Sequence, residues 1–304
     1  MLKHISSLTS NKEHSGVFYA IAAYGIWGIL PIYWKSIKQI PATDILAHRI
    51  FWSFLFLAVI ISGMRKWGEF KLAFKSLRSF LAVGLASILI STNWLLYIWA
   101  VNNNHIVEAS LGYFINPLLT ILLGRLVFRE RSDVWQNVAI GLTLISVAFL
   151  TYQYGRVPWI ALTLATSFAI YGLVKKLSTL TPLTGLGAET MLVAPLALGF
   201  LLVQFSRADS VYSPITLTTV ILIVLTGVVT SVPLLLFAQS AKRVPLSTLG
   251  FIQYLSPSLS LILGIFLYHE RFTHIDMLSF GCIWVALAIY SLSRKDVLGR
   301  FRRG

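Results

Sequence analysis

A lone cysteine, Cys282, stands among the 304 residues, which excludes an intrachain disulfide and any metal site built from several thiolates. Charge is scarce as well. Only 12% of residues are Asp, Glu, Lys or Arg, against about 25% in an average soluble domain. Acidic residues are the scarcest, 11 against 25 Lys and Arg, leaving a net charge of +14. There is no P-loop, no HExxH and no GxSxG, and the histidines at 4, 14, 48, 105, 269 and 274 are scattered over different segments. The chain therefore lacks a phosphate cradle, a zinc-hydrolase pair and a nucleophile elbow. An enzyme is not expected, nor any cofactor or metal.

What is present is apolar. Hydrophobic residues make up 57% and the mean hydropathy is +0.77, outside the range of water-soluble domains. Apolar runs bounded by charges, Pro or Gly/Ser clusters give ten candidate spans: 16–36, 44–63, 79–101, 106–128, 133–153, 157–174, 184–205, 214–238, 245–268 and 273–293. A helix needs roughly 20 apolar residues to cross a bilayer, so the chain reads as an all-α integral membrane protein with ten transmembrane helices. The run from Gly16 is too long for a signal-peptide core and reads as an uncleaved first helix after a cytoplasmic tail, 1–15. Residues 294–304 form a basic tail. The segment 64–78 mixes Trp67, Phe70 and Phe74 with Arg65, Lys66, Lys71, Lys75 and Arg78, and reads as an amphipathic loop on the cytoplasmic face.

In a soluble protein the basic excess would suggest nucleic acid; here the placement of the charges explains it. With the N-terminus inside, 19 of the 25 basic residues fall on inner segments. Cytoplasmic loops concentrate Lys and Arg, so both termini are expected inside and no nucleic-acid partner is expected.

The chain also repeats itself. Positions 117–131 (PLLTILLGRLVFRER) match 257–271 (PSLSLILGIFLYHER) at an offset of 140, pairing Pro117, Gly124 and Glu130 with Pro257, Gly264 and Glu270. Upstream the offset becomes 138, pairing Leu111-Gly112 with Leu249-Gly250, so the second half carries two extra residues around Phe251 to Tyr254. Fainter echoes link Tyr24 to Gly28 with Phe168 to Gly172, placing Tyr171 opposite Trp27. Two five-helix halves follow, 16–153 and 157–293. Five is odd, so the halves insert in opposite senses. Inverted repeats of this kind rock against each other and bind substrate near the midplane.

Charges inside spans are costly, and four polar groups draw attention: His48 and Arg49 in the second span, Glu108 opening the fourth and Glu189 early in the seventh. Arg49 offers a fork of donors for a carboxylate or phosphate; a snorkelling role, or a tie to Glu108, is its structural alternative. Glu189 and His48 are candidates for coupling protons; facing water for Glu189, or bonding within the bundle for His48, is the plainer reading. Tyr24, Trp27, Pro31 and Trp34 share one face of the first helix. With Asn93, Trp94, Tyr97, Tyr113, Asn116, Tyr171, Gln239, Gln253 and Tyr254 they are candidates to line a substrate cavity, since amides are poor lipid-facing residues. The alternative is interhelix hydrogen bonding and interfacial aromatic belts. Pro117 and Pro257, at matching places in the repeat, are candidate gate kinks.

The run EASLGYFINPLLTILLG at 108–124 with Glu130-Arg131, NWLLYIWAVNNNH at 93–105, PATDILAHRIFWSF at 41–54 and STLGFIQYLSP at 247–257 together resemble the RarD permeases of the EamA-containing drug/metabolite transporters. The resemblance runs from about residue 16 to 293. It implies a multi-pass inner-membrane permease whose relatives export amino acids, metabolites or toxic compounds. The expected function is thus secondary transport of a small metabolite, amino-acid-like compound or drug by alternating access, with the substrate and the bilayer as partners. A passive channel or a non-transporting membrane protein is the alternative, and a homodimer is left open. Without an ATP-binding motif, an ion or substrate gradient must drive transport. Small four-helix relatives couple protons through a glutamate in the first helix; the first span here has no carboxylate.

Overall fold

The computed structural model describes residues 2–102, 105–130, 134–154, 159–206 and 216–267, with positions 277, 281, 282, 284–286, 288 and 289; side chains are described from residue 13 onward, except at 98, 101, 102, 106–111, 147, 150, 151, 153, 154, 261 and 264. The regular elements among these residues are all helices: α1 (Leu2–Ser36), α2 (Ala42–Gly63), α3 (Trp67–Lys75), α4 (Leu77–Asn102), α5 (Ile106–Phe128), α6 (Val134–Tyr154), α7 (Trp159–Leu177), α8 (Pro182–Phe205), α9 (Leu217–Ala241), α10 (Leu246–Gln253) and α11 (Leu255–Phe266).

Six of them, within Glu13–Ser36, Ala42–Gly63, Leu77–Tyr97, Trp159–Leu177, Pro182–Phe205 and Leu217–Ala241, are long and apolar enough to cross a membrane; Gly112–Phe128 and Val134–Ser146 are shorter apolar stretches. Polarity is distributed for lipid rather than for water. Phe18, Val59, Leu196 and Leu217 lie at the surface, while Ser53, Thr226 and Ser231 are buried. An apolar surface this extensive is foreign to soluble monomers. The chain is an integral, multi-pass helical membrane protein.

Helix ends follow local chemistry. Thr181 and Thr216 cap α8 and α9 by accepting the N–H groups of Thr184 and Thr219 at 3.4 and 3.2 Å, and Pro182 opens α8 where its missing N–H costs nothing. Arg65 and Arg129, at φ 54° and 52°, turn left-handed just past α2 and α5, which ends each helix.

Three expectations change in detail. Residues 2–15 are helical and continuous with the first span, because no Pro or Gly interrupts them before Gly16. The amphipathic segment contains a helix, α3, rather than a loop: Phe70 and Ala73 pack with Ile61, Val83, Leu180 and Ala188, so its apolar face is covered by protein. The expected ninth span is two helices, α10 and α11, parted at Tyr254. Pro257 has no N–H for the Gln253 carbonyl four residues back. Pro117, by contrast, sits inside an unbroken α5, so the two prolines do not make equivalent kinks. The expected tenth span lies mostly outside the described residues.

Packing between the halves is reciprocal. α1 packs on α9 and on α10 and α11; α7, first of the second half, packs on α4 and α5. α2 meets α8, and α5 meets α10. Close approach needs glycine at two crossings. A Cβ on Gly227 of α9 would lie 2.4 Å from the carbonyl carbon of Trp52 in α2, and one on Gly250 of α10 would lie 2.8 Å from the Pro117 carbonyl oxygen.

Candidate functional site

The two ends of the bundle differ in how they are held. At the end where α1 finishes and α2 begins, Arg49 is half-buried with its guanidinium over two indoles, 4.7 Å from the Trp34 ring centre and 4.6 Å from that of Trp94. Its Nε donates to the Thr230 hydroxyl of α9 at 3.0 Å. Among the described residues no carboxylate pairs with it; the groups that act on it electrostatically are Tyr33, Tyr97 and Tyr113. Tyr97 and Tyr113 meet edge-on at 5.6 Å and hydrogen-bond through their hydroxyls. Tyr113 is 45% exposed. At this end Arg49 therefore sits in an aromatic cluster assembled from α1, α2, α4 and α5 and is held by α9.

The opposite end is tied. Lys175 of α7 and Glu189 of α8 form an ion pair at 2.7 Å, each side chain 4% exposed, and the Tyr171 hydroxyl donates to the other carboxylate oxygen at 3.1 Å. Lys176, closing α7, donates to the carbonyl of Ala241, the last residue of α9, and to that of Val244 just beyond it; Lys242, just past α9, donates to the Ser178 and Leu180 carbonyls past the end of α7. The end of each helix thus supplies a cation to backbone carbonyls at the end of the other. Burial, with Lys175 and Arg243 nearby, holds the Lys242 ammonium below its usual pKa. Glu130 completes the seal by accepting the N–H groups of Leu246 and Ser247 at 2.8 and 2.9 Å, capping α10. Gly124 makes room for it, since a Cβ there would sit 2.7 Å from the Glu130 carboxylate. That contact explains the glycine-to-glutamate spacing of the repeated segment; its second copy reaches beyond the described residues.

Between the ends, Tyr24 and Trp27 of α1, Phe168 and Tyr171 of α7 and Phe237 of α9 form an aromatic core, with neighbouring ring centres 5.2 to 6.2 Å apart. Beside it the amides tie helices together. Asn93 of α4 donates to the Leu164 carbonyl and the Ser167 hydroxyl of α7 at 2.8 and 2.9 Å. Asn116 of α5 donates to the Ala165 carbonyl at 2.9 Å and accepts from Gln253 of α10. The Tyr254 hydroxyl donates to the Phe114 carbonyl at 3.1 Å.

The candidate residues thus separate into groups. Arg49, Trp94, Tyr97 and Tyr113 come together in one aromatic cluster. Trp27 and Tyr171 belong to the aromatic core. Asn93, Asn116, Gln253 and Tyr254 carry interhelix bonds, with Pro117 buried where α10 crosses α5. Gln239 lies at the tied end, accepting from Arg243. His48 points away from Arg49, packing against Phe205 of α8 on the side that holds Asp44. Glu189 is buried in its ion pair rather than facing water. Glu108's side chain lies outside the described residues. Lys175, Thr230, Lys176 and Lys242 are the important groups that sequence reasoning did not single out, and Glu130 was marked only as a position of the repeat and of the family resemblance. No group of three His, Cys, Asp or Glu side chains that could hold a metal occurs among the described residues.

A multi-pass helical bundle that holds an arginine among aromatic rings and a buried ion pair within its spans fits a membrane transport protein. Comparison with known proteins supplies the family. The model of the EamA-like transporter family matches residues 14–152 and again 157–292. The uncharacterized transporter YojE of Bacillus subtilis (strain 168) is 45% identical, covering 93% of this chain and 95% of its own. Protein RarD of Escherichia coli (strain K12) is 43% identical, covering 93% and 96%. A solved structure aligns over 92% of this chain and 98% of its own with a TM-score of 0.69 at 16% identity, a likeness of fold alone. The chain belongs to the EamA-like transporter family, as a RarD-type permease of the drug/metabolite transporter superfamily.

Proposed function

We propose that the chain is a secondary transporter that moves a small metabolite, amino-acid-like compound or drug across the inner membrane by alternating access, with ten helices arranged as two inverted five-helix repeats and both termini inside. The observation that carries the reading is the contrast between the ends: one is tied by Lys175–Glu189, by the crossed lysines 176 and 242 and by Glu130, while the other holds Arg49 among aromatic rings, with Tyr113 exposed. The twofold match of the family model and the reciprocal packing of the halves support the repeat. A passive channel gains nothing from an end tied this way. In the proposed cycle this conformation is the inward-closed one, and release inward requires the crossed lysine bonds to part. Glu189 is the group proposed to couple this to protons, with His48 a second candidate.

Cysteine accessibility in intact cells tests it. On a Cys282→Ala background, Tyr113→Cys is expected to react with an impermeant maleimide from outside. Val244→Cys is expected to react only from the cytoplasmic side, and only while the tied end is open. Equal labelling of both positions from one side, or labelling of Val244→Cys from outside, would refute the reading.

A further inference from the structure

We propose that the Arg49 pocket takes an organic monoanion, a carboxylate borne on an apolar or aromatic body, and holds it end-on against the two η nitrogens of the guanidinium. This rests on the transporter reading above and names the chemical class its site selects.

The geometry narrows the approach. A guanidinium has five N–H donors in a plane. Its central carbon lies over the Trp34 and Trp94 rings, 4.7 and 4.6 Å from their centres. The Nε–H is spent on Thr230, which removes the side-on fork formed by Nε and one η nitrogen. The remaining donors sit at the tip of the side chain, where two parallel N–H groups match the two oxygens of a carboxylate. A half-buried cation within a span and without a described counter-charge is otherwise expensive, so an arriving anion gains what the protein has not supplied.

Charge sets the rest of the class. Among the described residues, the titratable groups that act on Arg49 are three phenols, with no second cation, so one negative charge is balanced and the second charge of a phosphate monoester is not. An ammonium group finds no acidic partner among the described residues around Arg49. Asp44, five residues back on α2, lies about 140° around the helix and is engaged by Gln204 of α8 at 3.2 and 3.4 Å. The walls beyond the guanidinium are the rings of Trp34, Trp94, Tyr97 and Tyr113, which favour an apolar or planar body over a sugar-like one.

The test is calorimetric titration of the full chain in nanodiscs at pH 7 with four probes of similar shape: 3-phenylpropanoate, 3-phenylpropanamide, 3-phenylpropylammonium and 2-phenylethyl phosphate. The carboxylate is expected to bind at least tenfold more tightly than each of the others. Arg49→Gln is expected to weaken the carboxylate at least tenfold, with Arg49→Lys falling between, because the ammonium keeps the charge and loses the fork. The proposal is overturned if the amide, the ammonium or the phosphate equals the carboxylate, if Arg49→Gln binds it unchanged, or if no carboxylate binding is measured. The probe series uses the unaltered protein, so a variant that fails to fold does not rescue the idea. Cysteine exchange at 113 and 244 without carboxylate binding would leave the transporter standing and remove the substrate class; carboxylate binding without exchange would do the reverse.

Discussion

Removing one partner of the Lys175–Glu189 pair should harm the protein far more than removing both. At an N to O distance of 2.7 Å, Coulomb attraction is about 6 kcal/mol at an effective dielectric near 20. Desolvating two ions costs several kcal/mol each, so the pair as a whole is close to neutral. A single substitution removes the attraction and keeps one desolvated charge. Glu189→Gln and Lys175→Met are each expected to cost about 3–5 kcal/mol. Gln retains an acceptor for the Tyr171 hydroxyl, now 3.1 Å from the carboxylate. The double variant, with no buried charge left, should be no less stable than either single one. Reversible unfolding in mixed micelles, read as a double-mutant cycle, measures the coupling directly. Additive losses would refute the reasoning, since they would mean the two charges are solvated separately. The same double variant serves transport: once it folds, loss of pH-driven uptake with retained substrate binding assigns the coupling proton to Glu189, and normal uptake denies it.

Two further outcomes are expected from the packing. Gly227→Ala should destabilise by about 1–3 kcal/mol or more, because its Cβ would press on the Trp52 backbone at 2.4 Å, whereas Gly199→Ala, with nothing within 4 Å, should be neutral or slightly stabilising; thermal unfolding of the two variants side by side checks this, and equal losses would contradict it. Asn116→Leu should cost about 1–3 kcal/mol by stranding the Gln253 amide, whose Oε1 already lacks a partner; the same unfolding assay should show Asn116→Leu with Gln253→Leu recovering part of that loss, and a further loss would count against it.

The helices were legible because a bilayer allows few alternatives: an apolar run long enough to span must satisfy its own backbone, so run length alone placed α2, α5 and α8 to within a few residues. Breaks were harder. The sequence holds two extra residues near Phe251 to Tyr254, and a two-residue insertion turns everything after it by about 200° around a helix. Gly250 must still meet α5. The chain resolves the conflict by ending α10 at Gln253 and restarting at Leu255. The change of offset was the signal for that break, but it carries no indication of whether an insertion is absorbed as a bulge, a loop or an interruption. α3 was hidden for a different reason: nine residues rich in lysine have no cover of their own, and the helix gains its covered face only once α4 and α8 lie beneath it.

The site divides along the same line between local and tertiary information. Arg49 stood out because a cation in a span with no acid three or four residues away must find its partner across the bundle or in a ligand; that inference needs only the sequence. Its hydrogen-bond partner Thr230 is 181 positions away, and nothing about a threonine in the apolar α9 marks it as an acceptor for that arginine. Lys175, Lys176 and Lys242 were read as interchangeable inner charges, which is what a count of loop lysines can say. Their actual roles differ because acceptors differ. Lys175 meets a carboxylate on α8, and the other two meet backbone carbonyls, which every residue possesses and no sequence distinguishes. Lysines at a helix C-terminus are expected to seek free carbonyls. Which helix supplies them is decided by packing alone, and it is the crossed choice, α7 to α9 and α9 to α7, that turns two ordinary caps into a tie between helices.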